Sequence, residues 1–299
     1  MKLSIITINY NNSQGTIKLL KSLAEQTLRQ DSGQGSKDFE IIVVDNASQE
    51  ADFVNLKSNV GSVALIRNSQ NLGFSGGNNV GISQALKNGS DWVVLLNNDT
   101  WVESGFLALL KAKLSVLGGV VGLPLDEGGR VAYKGRVEWL KPTLNHVYKP
   151  LTTSYLLHIT GYFAIGGAMA IHKDVFERTG LWDENYFLYF EDADFSLKAQ
   201  RAGFKLNFIE EPRVHHAVSE STKKLGSPLL LRYHYRNALY FNWKNGPWHI
   251  KLLIWPWSWI IILKQLFKIG ASIDEKESMA ILDGVIDWYR GKIGKIKLA

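Results

Sequence analysis

Polar and charged residues collect where apolar runs of this sequence end. Asn9, Tyr10 and Asn11 follow one run, Asp45 and Asn46 a second, and Asn97, Asn98 and Asp99 a third. Asn and Asp are favoured in ordinary turns, but three separate runs that deliver them together point to a site for a polar ligand. The stretch NLGFSGGNN, Asn71 to Asn79, sets three glycines ahead of a helical pattern. Bare backbone N–H groups and a positive helix end there suit a phosphate. It lacks the Gly-x-Gly-x-x-Gly spacing and a Walker lysine, so neither dinucleotide nor P-loop nucleotide binding is indicated. Glu191 and Asp192 form an acidic pair behind Tyr186, Phe187, Tyr189 and Phe190, more aromatics than an acidic helix start requires. His215 and His216 lie side by side in RVHHAVSEST, and imidazole is a ligand for ions such as Mn2+ as well as an ordinary packing group.

Alternating strands and helices must carry these residues. Leu3 to Ile8 is a β-branched run, and Ile17, Leu20, Leu23, Ala24 and Leu28 then recur at helical spacing. Phe39 to Val44, Val63 to Arg67 and Trp92 to Leu96 read as further strands, with a helix over Val80 to Leu86 entered through the Gly-rich turn. The alternation predicts an α/β fold, a mostly parallel sheet flanked by helices, with the polar residues above at the carboxyl ends of its strands. Gly33 and Gly35, within Arg29 to Lys37, read as a surface insertion. There is no internal repeat.

Composition narrows the class. The chain has 299 residues, 45% hydrophobic and 21% charged, which excludes disorder and collagen. It has no cysteine, which excludes a disulfide framework or a thiolate site and is expected of a reducing compartment. The opening MKLSIITINYNN reads as a strand rather than a leader, because its apolar stretch runs into Asn without a cleavage site. Net charge is +6, and residues 241–299 hold nine Lys or Arg against five Asp or Glu, together with six of the ten Trp. Lys and Trp beside apolar runs suit an anionic membrane surface, the alternative being a helical hairpin packed on the body. The Leu252 to Leu263 stretch is interrupted by Pro256 and Ser258 and is expected to lie on a bilayer rather than cross it. The basic residues are spread among aliphatics, so no nucleic acid partner is expected.

Four blocks, VVDNAS at 43–48, NLGFSGGNN at 71–79, LLNNDT at 95–100 and GLWDENYFLYFEDADFSLKAQRAGFKL at 180–206, resemble the successive motifs of the family-two inverting glycosyltransferases. The resemblance covers about the first 240 residues and is strongest to a bacterial rhamnosyltransferase-like branch that builds surface polysaccharides. It implies a Rossmann-like GT-A domain over 1–240, with 241–299 a basic, Trp-rich, amphipathic helical extension. It also implies a dTDP- or UDP-sugar donor, Mg2+ or Mn2+, a lipid-linked glycan acceptor, and a cytoplasmic enzyme peripheral at the inner membrane face.

The resemblance also assigns roles. Asn9, Tyr10, Asp45, Asn46, Asn71, Gly73, Phe74 and Asn78 would bind the donor, Asp45 by accepting from the N3–H of a pyrimidine base. The family's Asp-x-Asp is Asn97-Asn98-Asp99 here, which leaves Asp99 as metal ligand and Asn97 as a donor contact. One carboxylate suffices, because Mg2+ takes further oxygens from phosphate and water. His216 fits the spacing of a metal-site histidine, followed by hydroxyls at Ser219 and Ser221, and His215 is the alternative. Asp192 would be the base for the acceptor hydroxyl, with Glu191 orienting the acceptor and the four aromatics walling its cleft. Asp194 would be a first-turn charge favoured by the helix dipole. Arg236 of the Arg236–Asn237 pair would stabilise the leaving diphosphate, or else anchor the last helix of the core by a salt bridge. The competing functions are a nucleotidyltransferase and a non-catalytic membrane scaffold.

Overall fold

The computed structural model describes residues 1–26, 39–148, 161–216 and 227–297. Gly33, Gly35, Ser219 and Ser221 lie outside the described residues. The first hundred residues form β1 (Leu3–Asn9), α1 (Ser13–Ala24), β2 (Phe39–Asp45), α2 (Glu50–Asn59), β3 (Ala64–Arg67), α3 (Gly73–Lys87) and β4 (Trp92–Leu96). A run of short strands follows: β5 (Thr100–Val102), β6 (Val120–Gly122), β7 (Leu125–Glu127), β8 (Val131–Ala132), β9 (Lys134–Arg136), β10 (Asn145–Val147) and β11 (Tyr162–Phe163), with α4 (Phe106–Leu114) after β5. Then come β12 (Ala168–His172), α5 (Lys173–Thr179), α6 (Glu191–Arg201), β13 (Leu206–Phe208), β14 (Val214–His216), and three helices, α7 (Pro228–Asn245), α8 (Trp248–Gly270) and α9 (Glu275–Tyr289).

Among the described residues the main sheet has seven strands in the order β13-β6-β12-β4-β1-β2-β3. Only β12 runs antiparallel to its neighbours. The apolar runs of β1, β2 and β4 follow from this: a parallel sheet covered on both faces needs apolar side chains on both. Ile5 packs on one face with Leu19, Leu23 and Leu110, and its neighbour Ile6 on the other with Ile82, Phe176 and Phe195. Each such buried Ile contributes roughly 1.5–3 kcal/mol. The strand order turns back between β1 and β4, and a crevice opens there beyond the carboxyl ends.

Two expectations change. The Gly-rich stretch is not a turn before a helix, because α3 begins at Gly73 and its glycines form the packing face. A Cβ at Gly81 would stand 2.5 Å from Ile6 Cγ2, and one at Gly77 3.1 Å from Ile8 Cδ1, so glycine lets α3 lie directly on β1. The boundary at residue 240 falls inside α7, which runs unbroken from Pro228 to Asn245 and packs on α9 closely enough that a Cβ at Gly284 would meet Arg232 O at 2.6 Å.

The apolar segment of the C-terminal region also differs. Pro256 does not end its helix: α8 has 23 residues and a mean hydropathy of 1.3 over its best 18-residue window. At about 34 Å it is long and apolar enough to cross a bilayer by length and composition. Ile250, Ile254, Ser258, Ile261 and Gln265 form one buried stripe against α7 and α9, while Trp248, Leu252, Trp259, Ile260, Leu263 and Phe267 are exposed.

Candidate active site

The crevice is a cleft of about 540 Å³. One wall is built from Asn46 at the end of β2. Its side-chain N–H groups donate to Asn71 Oδ1 (3.0 Å) and Gly73 O (2.9 Å), and its Oδ1 accepts from Leu72 N and from Asn68. The loop between β3 and α3 is thereby tied to the sheet edge. Gly73 has φ +75°, and a Cβ there would lie 2.3 Å from Phe187 O; glycine is the residue that satisfies both demands. Tyr10, Asn46, Asn71, Gly73, Phe74, Asn78 and Asn97 all line the cleft, as does Asp99.

Asn9 and Asp45 do not. Asn9 is fully buried; its amide donates to Asp45 Oδ1 (2.9 Å) and Asp52 Oδ2 (2.8 Å), and its Oδ1 accepts from Thr16. Asp45 is also fully buried, accepts from Ser48 N as well, and lies 3.6 Å from Arg67 Nε. Both carboxylate oxygens are taken by protein groups, so in this arrangement the pair braces the sheet edge beneath the cleft. Arg236 is likewise turned inward. Its guanidinium donates to Tyr186 O (3.3 Å) and Asn237 Oδ1 (3.0 Å), and burial lowers it to about 10.

Those bonds secure an unusual loop. Phe187, Tyr189 and Phe190 all have positive φ, 62°, 71° and 75°, which costs of the order of 1–3 kcal/mol for each such residue. The amide of Asn237 holds the loop by donating to Leu188 O (2.6 Å) and Tyr186 O (2.9 Å). Phe187 O accepts from Phe74 N at 2.6 Å, joining this loop to the wall at α3. Of the four aromatics, Phe187 lines the cleft, whereas Tyr186 and Phe190 sit in the core behind it and Tyr189 stacks on His234 at 3.9 Å.

The loop ends at the acidic pair. Asp192 Oδ2 accepts from Gly166 N at 3.0 Å, and Gly166 lines the cleft; Oδ1 accepts from Ala193 N at 2.8 Å. Gly166 and Gly167 permit this closeness, since Cβ atoms there would meet Asp192 Cβ at 3.1 Å and Asn97 Nδ2 at 2.6 Å. Burial raises the Asp192 carboxyl above the usual range, opposed by those two N–H groups. Glu191 faces inward at 4% exposure and is not among the residues that line the cleft, and its Oε2 has no hydrogen-bond partner among the described residues. Burial, reinforced by the charge of Asp192, raises it well above the ordinary glutamate value. Asp194 is more than a dipole charge: it is buried and accepts from Lys244 (2.9 Å), Asn245 (2.6 Å) and Tyr186, tying α6 to the end of α7.

Antiparallel pairing of β14 with β5 sets His216 opposite Thr100, and His216 Nε2 is 3.1 Å from Asp99 Oδ1. Burial disfavours the His216 cation, but the hydrogen bond and charge of Asp99 outweigh it and raise the imidazole above its ordinary value. Successive strand residues point to opposite faces, so His215 goes the other way, stacked on Trp101 at 4.1 Å with Glu103 and Asp126 beside it. Glu127 stands opposite His216 on β7 and accepts from Tyr148 (2.7 Å), with His146 Nδ1 at 3.1 Å. The charge of His146 in turn acts on Asp192. Glu127, His146, Asn237 and the Gly166–Gly167 doublet have no role in the sequence reading. The doublet ahead of an apolar strand is a usable signal of close approach; single residues on short strands are not.

The chain matches the model described as "Glycosyl transferase family 2" over residues 4–180. The dTDP-rhamnosyl transferase RfbF of Shigella flexneri is 23% identical over 233 residues, 72% of this chain and 73% of that protein. An N-acetylglucosaminyl-diphospho-decaprenol L-rhamnosyltransferase of Mycobacterium tuberculosis is 21% identical over 311 residues, covering 94% of this chain and 98% of its own. Among solved structures, mannosyltransferase PcManGT from Pyrobaculum calidifontis in complex with GDP-Man and Mn2+ superposes with a TM-score of 0.54 at 14% identity, over 97% of this chain and 88% of that one. GalNAc-T7 with UDP, GalNAc and Mn2+ gives 0.57 at 20% identity over 82% of this chain, which spans about half of the GalNAc-T7 chain.

Proposed function

The chain belongs to glycosyl transferase family 2 and has a GT-A fold, and on that premise we propose that it is an inverting transferase using a thymidine or uridine diphosphate sugar, of the rhamnose class. The relatives named as rhamnosyltransferases support the donor class, and one of them is named for a lipid-diphosphate-linked sugar. The observation that carries the reading is the held Asp192, a carboxylate fixed by Gly166 N–H at the edge of the cleft. In the transfer the acceptor oxygen bonds to the anomeric carbon as the bond from that carbon to the diphosphate breaks. The electron pair leaves with the nucleoside diphosphate, and the acceptor proton passes to Asp192. A base raised toward the working pH is effective in this role. Burial raises Glu191 well above the ordinary glutamate value, which disposes Glu191 rather than Asp192 to hold a proton of the pair.

Asp99 and His216 supply one carboxylate and one imidazole at the cleft, and among the described residues no three His, Asp or Glu converge as a ligand set. That pair fits a divalent cation held jointly with donor oxygens rather than one bound tightly alone. Bound there, Mg2+ or Mn2+ would neutralise charge on the diphosphate.

The exposed face of α8 and the Lys residues Lys251, Lys264 and Lys268 favour seating on an anionic membrane, where a lipid-linked acceptor resides. The helix lies along the surface in this reading, because its buried stripe packs on helices whose Arg232–Asp287 ion pair (2.7 Å) a spanning arrangement would carry toward the bilayer.

The test is thermal stabilisation by uridine, thymidine and guanosine diphosphate sugars, each with and without Mn2+. A Mn2+-dependent shift with a uridine or thymidine donor is expected; no shift with any of them overturns the reading. Co-sedimentation with vesicles containing anionic lipid tests the surface, and exchanging Trp259 and Phe267 for Ser is expected to reduce binding several-fold.

A further inference from the structure

A diphosphate that leaves with a growing negative charge needs cations beside it. Arg236, the cation that the motifs offer, is spent on the loop at 186–190. Among the described residues that line the cleft, Lys295 is the cation, and it comes from beyond the last helix. After α9 the chain turns at Gly291 and Gly294, both with positive φ, and runs back over the cleft. It is pinned on either side of Lys295. Gly294 N donates to Asn185 O at 2.7 Å, and Ile296 N donates to Tyr233 Oη at 2.8 Å. Ile296 is buried, and Tyr233, itself in the cleft wall, stacks on Phe187 at 5.4 Å. Lys295 is therefore exposed at its own position but held by anchored neighbours, which lowers the ordering cost of binding.

We propose that Lys295 is a donor-binding residue that takes the diphosphate of the nucleotide sugar, and that the 291–297 tail is the strap that carries it. This rests on the donor reading above. An ammonium acts on phosphate as a point charge without fixed fork geometry, which suits a group that must hold the diphosphate both before and after the sugar leaves. The strap also gives the C-terminal region a part in the site: α9 and its tail connect the face of α8 to the donor.

The test is calorimetric titration of the full chain with dTDP and UDP in the presence of Mn2+, against thymidine and uridine, for wild type, Lys295→Ala, Lys295→Arg and Lys297→Ala. We expect Lys295→Ala to weaken the diphosphates about tenfold and to leave the nucleosides unchanged, with Lys295→Arg retaining most of the affinity and Lys297→Ala all of it. Equal diphosphate binding by wild type and Lys295→Ala overturns this inference alone, as does an equal loss of nucleoside binding. A wild type that binds neither diphosphate overturns the donor reading and this inference with it.

Discussion

The two walls of the cleft are built on opposite principles. At the carboxyl ends of β1 and β2 the buried polar groups are partnered: Asn9, Asp45, Ser48 and Thr16 bond one another, and Asn46 staples the loop before α3. On the α6 side three bulky residues in succession around Leu188 hold left-handed backbone, two carboxylates sit side by side, and Glu191 Oε2 goes unpaired. A satisfied buried network rigidifies; strain and raised acidity persist where something else requires them. In the proposed function the first wall is the frame against which the donor lies, and the second holds Asp192, the proposed base.

The contrast breaks most visibly at Asp192. Asp192→Asn should lower turnover about a thousandfold while donor-induced stabilisation remains, because the residue lies outside the donor wall. The acid limb of the pH–rate profile should also lie above that of an ordinary aspartate, since Asp192 must be ionised to accept a proton and its carboxyl is raised by burial. Activity at full level with Asn would remove the base from this position. Next in size, Asp99→Ala with His216→Ala should weaken Mn2+-dependent donor binding by ten- to a hundredfold and leave Mn2+-independent binding little changed, whereas His215→Ala should not weaken it. Asn237→Ala tests the strained wall itself. Losing the bonds to Leu188 O and Tyr186 O should cost about 1–3 kcal/mol of stability and lower kcat more than it raises the donor KM, measured by denaturant unfolding beside steady-state kinetics. A KM effect alone would place the loop on the donor side.

How far the sequence foretold this differs between the walls. The strands of the frame are legible because each is a continuous apolar run ending in Asn or Asp, and the carboxyl edge of a parallel sheet is where such ends meet. The periodicity does not say which of those polar ends line the cleft: Asn46 and Asn97 do, while Asn9 and Asp45 are consumed by one another, a matter of hydrogen-bond partners 36 residues apart. Which of His215 and His216 lies beside Asp99 depends on the β5–β14 register, which two three-residue strands cannot announce. The purpose of Arg236 and Asn237 was hidden for the same reason, because the backbone they bind lies about 50 residues away. In α8, Pro256 disfavours a helix interior by propensity, and the helix runs through it with one stripe packed on α7 and α9.

The smallest effect separates the walls most cleanly, because it should be a gain. Glu191 carries a carboxyl that burial, and then the charge of Asp192, holds well above the ordinary glutamate value. The folded state therefore keeps a proton that the unfolded chain releases once the pH passes about 4.3. Deprotonation then favours the unfolded chain, and stability is lost as pH rises from there toward the folded-state value. Glu191→Gln removes that loss, so its Tm should exceed that of the wild type by a few degrees at pH 7 and approach it near pH 4, with donor binding unchanged. A substitution that neutralises Asp45 has no such gain available, because that carboxylate is bonded to Asn9 and Ser48 and faces Arg67. Scanning calorimetry of Glu191→Gln across that pH range decides the matter: a Tm below wild type at pH 7 would mean that the reactive wall is as well satisfied as the frame, and the contrast between them would fail.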